Sequence, residues 1–188
     1  MTALRAVTRP HHDRIERLLA LDAPMALSRY GTVLTGFERF LAAWEPEVRE
    51  ALPARLHGWL GERSRLDFVR HDLEALGRSA SNSGAAQTPR CLPACDVAAA
   101  FGSLYVIEGS ALGGQVITPR LACDLGVGPG RGASYFHGHG ERTGAMWREF
   151  RLQATTEIGD DPSCHELACR AAVQTFEALI ATFECLLP

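Results

Sequence analysis

The apolar residues of this chain recur at helical spacing almost from end to end. No segment shows the alternation of apolar and polar residues that typifies a half-buried strand. In the first segment, for example, the apolar side chains are Leu4, Val7, Ile15 and Leu18. The chain has 188 residues, 46% of them hydrophobic, which suits one compact domain. We therefore predict an all-α fold of about seven helices, with residues 1–188 forming a single domain.

The helix boundaries are predicted from prolines, glycines and polar residues that interrupt the apolar pattern. The first helix begins at Thr2 and either kinks at Pro10 or restarts there with Thr8 as its N-cap. A small polar stretch over residues 78–90 is predicted to be a surface loop. Apart from one short helix after Pro46, the other predicted helices cover about 28–44, 61–76 with Gly77 as its stop, 93–121, 141–158 and 163–187.

The charge composition limits the kinds of partner and the chemistry of the protein. All 19 basic residues are arginine, which excludes Schiff-base catalysis and lysine-dependent phosphate loops. With 22 acidic residues the formal net charge is -3, so bulk charge indicates neither a nucleic-acid partner nor a membrane surface. No apolar stretch approaches the roughly 20 residues that span a bilayer, and the N-terminus lacks a signal core. We predict a cytoplasmic protein.

Three glycines, Gly109, Gly113 and Gly114, lie within one predicted helix. A glycine in a helix interior costs about 1 kcal/mol relative to alanine, so its presence calls for a reason. Small residues at this spacing allow another helix to approach closely. Alternatively, the backbone bends there and lies directly against a flat ligand, which residues without a Cβ permit. The sequence pattern leaves both interpretations open.

His12 differs from its neighbour His11 in having Glu16 four residues later. On a helix, that carboxylate can accept the Nδ1 proton and leave Nε2 free to bind a metal. His11 has an apolar residue at the same spacing, and a purely structural role is the alternative for either histidine. Arg5 and Arg9 lie on the face next to His12, either as a solvated charged face or as a clamp for a ligand that carries carboxylates.

Three motifs resemble the heme oxygenase family. The run LYVIEGSALGGQVI over 104–117 resembles the distal helix of these enzymes, and the spacing LRxxTxxxHxxxE over 4–16 resembles their proximal helix. The run GERTGAMWREF over 140–150 is similar to the bacterial subgroup associated with bacteriophytochromes. The motifs are long and occur in the family's order, and the resemblance extends over most of the chain.

The resemblance implies a heme oxygenase-like helical bundle with a kinked distal helix. It implies that His12 is the proximal ligand of the heme iron and that Glu16 orients it. Ser110 stands where many members of the family have an aspartate. The other residues to which the resemblance assigns a role are Gly109, Gly113 and Gly114 on the heme face of the distal helix, Arg5, Arg9 and Arg151 at the heme propionates, and Phe176 and Phe183 in the pocket wall.

The implied reaction uses heme b as both cofactor and substrate. With O2 and electrons from an external reductant, heme would be cleaved to biliverdin, CO and ferrous iron. The resemblance also implies a ferredoxin- or flavodoxin-type electron donor and a bacteriophytochrome that receives biliverdin. A heme-binding or carrier protein on the same fold is the first alternative, for which Ser110 leaves room. A thiaminase-like enzyme is the second, but it does not explain His12 with Glu16 beside this glycine spacing.

Overall fold

Helices account for nearly all of the regular structure in this protein. The computed structural model describes residues 1–78 and 96–187, and within these ranges the chain forms no strand. The all-α prediction is confirmed. One-turn 3₁₀ helices precede the third and the seventh of the eight described α-helices, which are α1 (Thr2–Leu19), α2 (Leu27–Ala51), α3 (His57–Gly61), α4 (Leu66–Ala75), α5 (Val97–Leu125), α6 (Ser134–His137), α7 (Thr143–Ile158) and α8 (Pro162–Glu184).

Two prolines that the sequence pattern treated as interruptions lie inside continuous helices. Helix α1 runs through Pro10, and α2 runs through Pro46 instead of stopping there. Thr8 is not an N-cap, because its hydroxyl donates a hydrogen bond to the carbonyl of Leu4 at 2.8 Å. Beyond Pro46, the last turn of α2 buries Val48 completely. Burial of this apolar surface offsets the hydrogen bond that the proline removes.

The predicted helix over 61–76 is two helices joined by a turn. Helix α3 ends at Gly61 and α4 begins at Leu66. Gly77 ends α4 as predicted, with a positive φ of 69° and its N–H bonded to the carbonyl of Glu74. The predicted start at residue 93 falls outside the described residues. Helix α5 is described from Val97, where the Asp96 carboxylate accepts a hydrogen bond from the Ala99 amide.

Helix α8 lies at the centre of the packing, where it contacts both α5 and α1. Gly102 of α5 meets the backbone of Ala168 so closely that any Cβ at 102 would collide with it. In the same layer, the Trp44 indole donates to the Ser103 hydroxyl at 2.7 Å, and that hydroxyl lies 2.6 Å from Thr175. This buried chain of hydrogen bonds joins α2, α5 and α8.

Helix α5 is the most apolar long helix among the described residues. By length and composition alone it could cross a membrane, which the sequence reasoning did not anticipate. In the fold, however, 67% of its most apolar window is buried by the other helices. Helix α5 therefore has the burial expected of the core helix of a bundle.

A buried carboxylate holds α6 in place. Asp72 of α4 is completely buried and accepts hydrogen bonds from the amides of Ser134 and Tyr135, at 2.8 and 2.7 Å. Just before α6, the hydroxyl of Tyr30 donates to the carbonyl of Gly132 at 2.7 Å. These bonds position the Tyr135 ring, which lies beneath α5.

We expect Asp72→Ala to lower the free energy of unfolding by about 3 kcal/mol, because it leaves two buried amides without acceptors. The matched control is Asp124→Ala, which removes a partly exposed partner of Arg120 and should cost less than about 1 kcal/mol. Urea unfolding followed by circular dichroism measures both values. Equal losses in the two variants would contradict the proposed anchoring role of Asp72.

Candidate functional site

His12 is placed on the outer face of α1 with one ring nitrogen available. Its side chain is 53% exposed, and its Nδ1 lies 3.3 Å from the carboxylate of Glu16. Nε2 has no hydrogen-bond partner among the described residues. A carboxylate at Nδ1 orients the ring and leaves Nε2 as the nitrogen that can bind a metal.

His11 points in a different direction, toward α8. Its side chain is only 24% exposed, its Nε2 lies 3.8 Å from the carboxylate of Glu177, and its Nδ1 is buried. The two histidines share one neighbour, Phe176, whose ring centroid lies 6.4 Å from that of His11 and 6.2 Å from that of His12. The geometry therefore distinguishes a partly buried histidine from an accessible one.

The two phenylalanines predicted for the pocket wall have different surroundings. Phe176 is nearly buried and lies beside His12, as a pocket wall requires. Phe183 is completely buried, with its ring 4.9 Å from that of Phe37, and a Cβ at Gly36 would collide with it. The last turns of α8 thus lie against α2 in the core, and the pocket-wall role of Phe183 stays a prediction.

The outer face of α5 carries backbone that no side chain covers. A Cβ added at Gly113 would meet nothing within 4 Å, and one at Gly109 would meet only the Trp147 ring, at 3.9 Å. Ser110 is exposed on the same stretch. Because residues four apart lie on one face of a helix, Gly109 and Gly113 form a continuous strip without Cβ atoms.

Gly114 lies on a different face from the other two glycines. It is buried, and a Cβ there would collide with the carbonyl oxygen of Phe136. Contact of Gly114 with a ligand therefore stays a prediction. Close packing of α5 on α6 explains the glycine at 114, whereas Gly109 and Gly113 have no comparable packing reason.

Tyr105 brings α1 and α5 together. Burial raises the pKa of its hydroxyl, while a hydrogen-bonding interaction with Thr8 and the charge of Arg5 act in the opposite direction. Thr8 lies one turn before His12, and Tyr105 lies one turn before Gly109. Because residues four apart share a helix face, His12 and Gly109 each lie one turn beyond this contact between α1 and α5. We call the region that these faces border the α1–α5 cleft, and define it by His12, Phe176, Tyr105, Gly109 and Gly113.

The three arginines predicted to hold carboxylates are exposed. Arg5 lies close enough to Tyr105 for its charge to affect that residue's pKa. Arg151 is on α7, four residues after Trp147, whose ring lies 5.8 Å from that of Tyr105. Neither Arg5 nor Arg151 forms an ion pair among the described residues, so both can bind an anion. Arg9, in contrast, pairs with Asp13 at 2.9 Å.

A buried guanidinium lies directly beneath the exposed strip of α5. Arg65, in the turn between α3 and α4, is only 4% exposed. Its Nη2 donates to the carbonyl of Ile107 at 2.6 Å and to the hydroxyl of Ser110 at 2.8 Å. The same guanidinium lies 4.8 Å above the centre of the Tyr135 ring. Sequence reasoning missed Arg65, since nothing in the sequence distinguishes it from an arginine in a charged surface turn.

A second buried arginine in that turn, Arg63, neutralises a buried carboxylate. It donates to Glu108 at 2.8 Å and to Glu149 at 2.9 Å, and it lies 4.2 Å from the centre of the Trp59 ring. Burial raises the pKa of Glu108, and the charges of Arg63 and Arg65 oppose that rise. These contacts tie α5 to α7 immediately before Gly109.

Comparison with known proteins identifies the family. No protein-family model matches this chain. A heme oxygenase of Xanthomonas campestris pv. campestris is 34% identical over 137 residues, which cover 70% of this chain and 78% of that protein. The chain belongs to the heme oxygenase family. Heme oxygenase PigA of Pseudomonas aeruginosa is 33% identical over 126 residues, which cover 63% of this chain and 59% of PigA.

The fold is also that of a heme oxygenase. The structure matches a crystal structure of the NO- and CO-bound heme oxygenase of Neisseria meningitidis with a TM-score of 0.71 and 25% sequence identity. The match covers 96% of this chain and 90% of the other. The resemblance read from the sequence motifs is thus confirmed at the level of the family and of its helical bundle.

The two neighbouring glycines of α5 provide a test of this geometry. We expect Gly114→Ala to destabilise the protein by about 2 kcal/mol, because the new Cβ collides with backbone. Gly113→Ala, its matched control, fills open space and should stabilise the helix by up to about 1 kcal/mol. Urea unfolding without added ligand measures both values. A loss of stability in Gly113→Ala as large as that in Gly114→Ala would contradict the assignment of the two faces.

Proposed function

We propose that this protein is a heme oxygenase that binds heme as its substrate in the α1–α5 cleft. In the reaction, O2 and externally supplied electrons convert heme to biliverdin, CO and ferrous iron. The observation that carries the proposal is His12. Its Nδ1 is held by Glu16, and its Nε2 has no partner in the described part of the chain, on a helix that borders the glycine strip of α5.

The residues of the cleft fit a flat, apolar metal macrocycle. His12 supplies one neutral imidazole for the iron, and the ring of Phe176 supplies an apolar surface beside it. On the opposite side, Gly109 and Gly113 let the backbone of α5 approach the macrocycle, since neither has a Cβ to hold it away. Ser110 is the polar side chain between them.

The carboxylates of the substrate require cations at the edge of the cleft, and we propose Arg5 and Arg151 for this role. Both are exposed, unpaired among the described residues, and close to the aromatic pair of Tyr105 and Trp147. A guanidinium binds a carboxylate with two parallel hydrogen bonds. Arg9 would contribute only after it releases Asp13.

The electron donor that we propose is an acidic ferredoxin or flavodoxin. Arg148 and Arg151 are both exposed on α7, and neither forms an ion pair among the described residues. Such unpaired cations attract an acidic partner without making the whole protein basic. We further propose a cytoplasmic location and a bacteriophytochrome as recipient of the biliverdin, in keeping with the subgroup that the motif over 140–150 resembles.

Substitution of each histidine tests the proposed iron ligand. We expect His12→Ala to abolish the histidine-ligated Soret spectrum that hemin gives with the wild-type protein, because it removes the accessible Nε2. The control, His11→Ala, should retain that spectrum. Added imidazole should restore ligation in His12→Ala by occupying the vacated position. Loss of ligation in His11→Ala alone would show that the wrong histidine has been assigned.

Turnover distinguishes the enzyme from a heme carrier on the same fold. With oxygen and a reductant, the heme-loaded protein should lose its Soret band and form biliverdin, which product chromatography identifies together with the meso carbon attacked. His12→Ala loaded with the same amount of heme is the control for nonspecific oxidation. Intact heme at the end of the wild-type reaction would favour the carrier.

A further inference from the structure

We infer that Arg65 and Tyr135 act as positioning residues that turn the hydroxyl of Ser110 into a hydrogen-bond donor aimed into the cleft. The ligand that this donor recognises is a small anion or a polar diatomic molecule on the α5 side of the bound heme. The inference rests on the proposed function, and it assigns a role to two buried residues, one in the turn that precedes α4 and one on α6.

The carbonyl of Ile107 accepts hydrogen bonds from two side chains. Arg65 donates to it at 2.6 Å and the Ser110 hydroxyl donates to it at 2.8 Å. When the Ser110 hydroxyl rotates away, Arg65 still satisfies the carbonyl. Rotation therefore leaves no buried acceptor unpaired, and that penalty is the main cost of redirecting a buried hydrogen bond.

The hydroxyl of Ser110 can make only a limited number of hydrogen bonds. A serine hydroxyl has two acceptor lone pairs and a single donor hydrogen. Arg65 already donates to Ser110 Oγ at 2.8 Å. The hydroxyl of Tyr135 is buried and has no partner among the described residues, and it is near enough to interact with Ser110. If both residues donate to Oγ, only the hydrogen of Ser110 remains, and it points away from them.

The positive charge of Arg65 also acts on Ser110. The guanidinium of Arg63 is neutralised by Glu108 and Glu149, whereas Arg65 forms no ion pair among the described residues. Arg65 is instead bonded to neutral oxygens and packed on the Tyr135 ring. A hydroxyl that accepts a bond from a buried cation becomes a stronger donor, because its own O–H is polarised. Ser110 therefore favours ligands with negative charge at the atom it meets.

Fluoride is the probe for this inference, because it binds ferric heme and accepts hydrogen bonds without donating any. We expect fluoride to bind the heme complex of Ser110→Ala about tenfold more weakly than that of the wild-type protein, as for loss of one charge-assisted hydrogen bond. Arg65→Met should cause a similar loss and Tyr135→Phe a smaller one. In the carbonyl complexes, the C–O stretching frequency should rise in the same order.

A double-mutant cycle shows whether Arg65 acts through Ser110. Because it does so in this inference, Arg65→Met combined with Ser110→Ala should bind fluoride no more weakly than Ser110→Ala alone. Additive losses would show that Arg65 acts as an independent charge and would overturn its positioning role. The matched control is Arg120→Met, which removes a cation ten residues further along α5 and should change fluoride affinity less than twofold.

The outcomes separate this inference from the proposed function. If wild-type protein forms no histidine-ligated heme complex, the proposed function fails. If the complex forms and Ser110→Ala leaves fluoride affinity unchanged, only the inference is overturned. Ser110 is exposed on a helix, so its alanine variant should fold. Should Arg65→Met not fold, Arg65→Gln decides, because it removes the positive charge, and a wild-type affinity in both Arg65→Gln and Tyr135→Phe would exclude positioning by these two residues.

Discussion

The contact between α5 and α8 at Gly102 determines the placement of the other functional elements. Backbone meets backbone there, since the helices come so close that a single Cβ at 102 would separate them. The hydrogen bonds from Trp44 through Ser103 to Thr175 fix the register of the same crossing. Helix α1, with His12, also packs on α8. The distance between His12 and the glycine strip therefore depends on how closely α5 approaches α8.

Sequence periodicity was sufficient to predict the fold class and the pairing of His12 with Glu16 on the exposed face of α1. An apolar repeat of helical period identifies a buried stripe, and His12 with Glu16 needs only helical spacing to come together. The predicted stop at Pro46 and the predicted restart at Pro10 were wrong, because each side of the helix is stabilised by core contacts that a local rule does not include. Local patterns describe local contacts well, and His12 with Glu16 is such a contact.

Residues whose role depends on a partner far along the chain could not be identified in this way. Gly114 is a glycine like Gly109 and Gly113, and Phe183 is a phenylalanine like Phe176. Only the positions of Phe136 and Phe37 show that Gly114 and Phe183 pack elsewhere. Arg65 is the opposite case. Its neighbours in the sequence are charged and polar, while its partners Ile107 and Ser110 lie more than forty residues away.

The absence of lysine from the sequence has a consequence at Arg65. Buried ammonium groups readily lose their proton, and a lysine beneath Ser110 could become a neutral acceptor. A guanidinium is not deprotonated in proteins, so Arg65 donates in every solution in which the protein stays folded. Its arrangement with Ile107 and Ser110 therefore works as a permanent electrostatic element.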